Sequence, residues 1–145
     1  MNSPVILPLK IPRENDRGPV AMEAIFTGLS ELFRHHPTTL SFEIVVRGGF
    51  IYFFVVCERP VVDIVRGQLF SQYRSLEIVE VADYTGPLSL SSHIVLLKLE
   101  RPDAYPIKTY KELETDFLSG LSGMATSLTG NDFIAIQIIV SPVNS

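Results

Sequence analysis

Arg47-Gly48-Gly49-Phe50-Ile51-Tyr52-Phe53-Phe54 is the stretch of this chain whose residue types could do the most chemistry. If it is extended, Phe50, Tyr52 and Phe54 share one face, because side chains alternate along a strand. Three rings in a row beside an arginine make a platform on which unpaired bases could stack, at about 1 to 3 kcal/mol per base. The same rings could instead be covered by their own chain or by a protein partner. Three features favour covering. The first strand candidate, Ile6-Leu7-Pro8-Leu9-Lys10-Ile11, supplies no partner aromatic. A net charge of -4 does not attract phosphate backbones. A third helix is also available to lie across that face.

Other reactive side chains are poorly placed for catalysis. His35 and His36 are adjacent, so on a helix they point to different sides, and His93 is remote. No metal site is expected; the pair suits a helix C-terminus, where imidazole meets the last carbonyls and the dipole. Cys57 lies in an apolar run without a recognisable base, which reads as a small buried thiol. No serine sits in G-x-S-x-G, and Gly120-Leu121-Ser122-Gly123 does not complete it. The chain has no G-x-x-x-x-G-K-[ST] loop, and Gly48-Gly49 opens no helix that could hold a phosphate. The expectation is a non-enzymatic chain without cofactor or metal. A small-ligand sensor or dimeric enzyme would need a polar cleft that the sequence does not announce.

The elements that must position these residues follow from two hydrophobic periods. Val5 to Ile11 alternates as a strand, with Pro8 as its defect. Pro19 opens a helix whose stripe is Met22, Ile25, Phe26, Leu29, Leu32 and Phe33, ending before Pro37. Leu40 to Val46 and Ile51 to Val55 form a hairpin about Gly48-Gly49, a register that sets Arg47 opposite Phe50, Ile44 opposite Phe53 and Phe42 opposite Val55. A second helix follows Pro60, facing inward with Val62, Val65, Leu69 and Tyr73, and then a strand at Leu76 to Val81. The predicted architecture is α+β: a ferredoxin-like βαββαβ sandwich over residues 1–84. After a Gly, Pro and Ser-rich connection at 85–92, residues 93–143 add a strand-helix-strand (βαβ) unit within one domain, 1–145. Its parts are a strand at Ile94 to Leu99, a helix at about Lys111 to Leu128, and a strand at Phe133 to Val140. The last is almost continuously apolar, which predicts a strand that is central or well buried.

Composition narrows the classes. Apolar residues make up 46% and charged residues 19%, enough for one core. No apolar run approaches the ~18 residues needed to cross a bilayer. A single cysteine forms no internal disulfide, which suits the reducing cytoplasm, and Met1-Asn2-Ser3-Pro4 lacks the basic region of a signal peptide.

The stretch 47–54 resembles the third-strand motif of RNA-recognition domains, which implies a single-stranded nucleic-acid-binding module carried by Arg47, Phe50, Tyr52 and Phe54. A broader resemblance covers nearly the whole chain. Leu9-Lys10-Ile11-Pro12-Arg13-Glu14-Asn15, Ser41-Phe42-Glu43-Ile44-Val45, Gly67-Gln68-Leu69-Phe70-Ser71-Gln72-Tyr73, Tyr105-Pro106-Ile107-Lys108-Thr109-Tyr110 and Ile136-Gln137-Ile138 carry it, in order. The chain resembles the N-terminal domain of type IV secretion or conjugative-transfer ATPases of the HerA/FtsK class, in the versions common in candidate-phyla bacteria. That resemblance implies an accessory module for docking or assembly, preceding a phosphate-loop motor at the inner face of the membrane. Its expected partners are a protein or neighbouring subunits, with weak self-association at most. Under it Lys108 and the hydroxyls of Tyr105 and Tyr110 form a polar contact point. Their structural role would be to fix and cap the approach to the third helix.

Overall fold

Alternating apolar residues on both sides of Gly48-Gly49 dictate a hairpin, and the computed structural model builds the sheet around it. It describes residues 4–11, 17–35, 37–86, 92–100, 105–106, 108–113 and 117–142. The strands are β1 (Val5–Pro8), β2 (Leu40–Arg47), β3 (Phe50–Cys57) and β4 (Phe133–Val140). The helices are α1 (Val20–His35), α2 (Val62–Gln72) and α3 (Phe117–Ala125). Short 3-10 turns precede α2 at Arg59–Val61 and α3 at Tyr110–Glu112. The antiparallel sheet has the order β1-β3-β2-β4.

The hairpin register is the one the alternation predicts: Arg47 faces Phe50, Ile44 faces Phe53 and Phe42 faces Val55. Gly48 and Gly49 take φ of 57° and 80°, the left-handed values that a two-residue turn needs and that a Cβ penalises. Pro8, which lacks a donor, ends β1. The expected strand at 76–81 is reduced to two antiparallel bridges beside β1, Ile6 with Val81 and Lys10 with Glu77. Ion pairs hold this segment in place: Lys10 Nζ meets Glu77 at 2.9 Å, and Arg59 and Arg66 reach Glu80 at 2.7 and 3.1 Å.

Every second residue of the sheet faces the helices. Val5, Leu7, Leu40, Val55 and Cys57 pack against Ile25 and Leu29 of α1 and against Val62, Val65 and Leu69 of α2. Tyr73, just past α2, is buried with them, so the inward stripe of α2 is as predicted. Phe26 is not buried on α1. It stays half exposed and meets Phe42 edge-on at 5.0 Å.

The appended unit departs from expectation in three ways. Ile94 to Leu99 forms no strand and is exposed. The third helix is shorter than the periodicity suggests; Leu121 is buried, but Leu113 and Met124 are exposed, and among the described side chains of this stretch Leu121, Ala125 and Leu128 are the ones that meet the sheet. β4 is not central. With no partner at Ile94–Leu99 it is bonded, among the described residues, to β2 alone, and Ile138 and Ile139 near its end face water. The side chains of Leu32, His35, Tyr110 and Phe117, and all of His36 and Ile107, lie outside the described residues.

Candidate functional site

The face of the sheet opposite α1 and α2 carries Ser41, Glu43, Val45 and Arg47 from β2, Phe50, Tyr52 and Phe54 from β3, and Gln137 from β4. The expected cover, α3, is not there. Leu121 and Ala125 instead pack against Val46, Ile44 and Ile51, which belong to the same face that α1 and α2 cover. Periodicity fixes which side of a helix is buried but not which side of the sheet receives it.

What crosses the open face is the segment after Val81. Tyr84 stacks on Phe54 with ring centroids 5.3 Å apart and meets Phe133 edge-on at 5.9 Å. Phe54 is thereby buried with Ile6 and Val45. Beyond it the row continues outward, Phe54 to Tyr52 at 6.3 Å and Tyr52 to Phe50 at 6.4 Å. Phe50 is 66% exposed and Tyr52 45%. Arg47, across the hairpin from Phe50, is exposed as well. The expected residues thus divide: Phe50, Tyr52 and Arg47 form an accessible end, and Phe54 lies under Tyr84. Tyr105 and Lys108 are exposed in the segment before the second 3-10 turn and are not members of this ring row. There Thr109 N–H donates to Glu112 Oε2 at 2.8 Å, a local cap that supports the structural role of this stretch.

A polar knot that the sequence reading missed sits at the covered end. Glu43, only 5% exposed, accepts from Tyr84 OH at 2.6 Å, Ser41 Oγ at 2.7 Å and Gln137 Nε2 at 3.0 Å. Gln137 stands directly across from Glu43 in the β2–β4 ladder. The signal available was Gln137, the one polar residue in β4. Alongside, a shallow pocket of about 260 Å³ is lined by Ser41, Glu43, Gln137, Cys57 and Glu58 among others. Both oxygens of its Glu43 carboxylate already accept hydrogen bonds.

Cys57 is the wrong kind of thiol for a nucleophile. Burial pushes it up to about 11, with Arg66 and then Arg59 pulling back only in part. Burial also raises Tyr73, and burial and the bond to Glu43 raise Tyr84. All three groups fold in their neutral forms. Where the folded pKa lies above the unfolded one, the stabilisation is whole below the unfolded value and is lost as pH rises through the folded value. For Cys57 the window runs from its ordinary 9.0 to about 11. Urea midpoints should therefore fall between about pH 8 and about pH 10.5. Cys57→Ala, though less stable at pH 8, should show a shallower fall, at most about 1.4 kcal/mol per pH unit being removed. A fall equally steep in the variant would assign it to the tyrosines alone.

Among the described residues no group of three His, Cys, Asp or Glu is placed to hold a metal, and no helix is long and apolar enough to cross a membrane. Among the described residues, fold and site together define an α+β protein with a four-stranded antiparallel sheet, three α-helices, and one sheet face that is only partly covered. Comparison with known protein families, with curated proteins and with solved structures finds no match.

Proposed function

We propose that this chain is a non-enzymatic interaction domain, ferredoxin-like over its first 84 residues with an appended helix and strand, that docks a protein partner on its open sheet face. The carrying observation is the exposed end of the aromatic row, Phe50 and Tyr52 beside Arg47, standing on the β2–β3 hairpin. Exposed aromatic and arginine side chains are the residue types that dominate binding energy at protein interfaces. The ferredoxin-like reading is supported by the lateral order 76–81, β1, β3, β2, all antiparallel, with α1 joining β1 to β2 across the intervening β3. The non-enzymatic reading is supported by the polar groups themselves: both oxygens of Glu43 accept hydrogen bonds from its neighbours and Cys57 is held as a neutral thiol. The segments that resemble type IV secretion and conjugative-transfer ATPases make a motor of that class, or a neighbouring subunit, the partner of choice.

Binding of the chain to a phosphate-loop motor of the conjugative-transfer class tests this. Phe50→Ala with Tyr52→Ala should weaken the complex by roughly 10- to 100-fold, about 1.4 to 2.8 kcal/mol, at unchanged melting temperature. Unchanged affinity in that variant would remove the open face from the interaction. A second reading is favoured by the same exposed rings: single-stranded nucleic acid stacked on Phe50 and Tyr52. It requires oligonucleotide binding that weakens with salt and disappears in Tyr52→Ala.

A further inference from the structure

β4 and the segment Ile94–Leu99 are two unfinished halves of one strand pair. Among the described residues β4 is hydrogen-bonded to β2 on one side only, and Ile138 and Ile139 near its end are 61% and 67% exposed. Ile94, Val95, Leu96 and Leu97 are 77–84% exposed, and no backbone hydrogen bond joins the segment to another described residue. An uncharged apolar edge invites strand addition, and proteins ordinarily blunt such edges with charge, proline or a covering element. Neither charge nor proline occurs in β4.

The two halves fit. Six residues extend about 20 Å, within the length of β4. Val95, Leu97 and Leu99 would share one face and continue the helix-covered side, where Ile134 and Ile136 pack under Leu121. Lys98, with Ile94 and Leu96, would fall on the open side, where its ammonium reaches water.

We propose that Ile94–Leu99 of one chain adds to the free edge of β4 in a second copy, reciprocally, forming a two-fold strand-exchanged dimer. Each copy carries both a donor strand and a vacant acceptor edge, and in each the donor stands clear of its own sheet, so a second copy satisfies both at once. The area is sufficient. Five apolar side chains at roughly 100 Å² each, with equal area on the receiving surface and the whole doubled by symmetry, remove about 2,000 Å² from water. Stable dimers begin at about that size. This surface is separate from the aromatic row and does not rest on the reading of that row.

Light scattering of the purified chain at about 100 µM tests it. The wild type should have twice the chain mass. Leu97→Lys and Ile138→Lys change side chains that stand in water in the single chain, so each should keep the far-ultraviolet circular dichroism while raising the dimer dissociation constant at least tenfold. A monomeric wild type, whether its segment stays free or pairs with its own β4, overturns the proposal. So does a dimer indifferent to both variants.

Discussion

Glu43→Ala is expected to lower the unfolding free energy by about 3 kcal/mol, a large loss for a residue that a sequence reading would leave on the surface. The carboxylate is buried between β2 and the crossing segment, and three side chains aim donors at it within 3.0 Å. A hydrogen bond to a charged group contributes about 1.5 to 3 kcal/mol, and stranding its partner adds a desolvation cost. The full sum is not reached, because Gln137 is exposed and Tyr84 half-buried, so water recovers part of it. Tyr84→Phe should cost about 1 kcal/mol, since the ring stack on Phe54 survives. The two changes should be coupled by about 1 kcal/mol or more in a double-mutant cycle read from urea unfolding. Coupling near zero would mean that the Tyr84–Glu43 bond contributes nothing in solution.

Residues whose fate depends on near neighbours were legible before any coordinates. The Gly48-Gly49 turn fixed the β2–β3 register, because a two-residue loop leaves one way to pair the flanking strands. Val62, Val65 and Leu69 fixed the buried face of α2. What failed depends on partners far along the chain. The pattern of Leu121 and Leu128 requires a burial site without specifying the side of the sheet, so α3 was placed over the aromatic row when it packs behind it. β4 reads as a central strand because both its faces are apolar. Apolar faces do not say how many neighbours an edge has, and among the described residues the outer edge of β4 has none. Glu43, Tyr84 and Gln137 are separated by 41 and 53 positions, and no local period connects them.

Leu121→Ala should cost about 3 kcal/mol, and the loss should be confined to one end of the molecule. Leu121 is 1% exposed and sits with Val46 and Ala125 beneath Ile44, Ile51, Ile134 and Ile136. Truncating a buried leucine costs about 2 to 5 kcal/mol, the transfer of its methyl groups plus the cavity left behind. Nine residues make two and a half turns, too few to hold a helix in water without packing. Gly120 and Gly123 weaken it further, each by about 1 kcal/mol relative to alanine. Hydrogen exchange should accordingly rise first in α3 and along β4, while α1, α2 and β1 keep their protection, since their core around Leu69 and Ile25 shares no buried residue with that of Leu121. Uniform loss of protection across both clusters would show instead that the molecule unfolds as one unit. A rescue separates packing from helix propensity. A Cβ at Gly120 meets nothing within 4 Å, so Gly120→Ala should return about 1 kcal/mol to the Leu121→Ala variant, and the restored protection should appear in α3 alone.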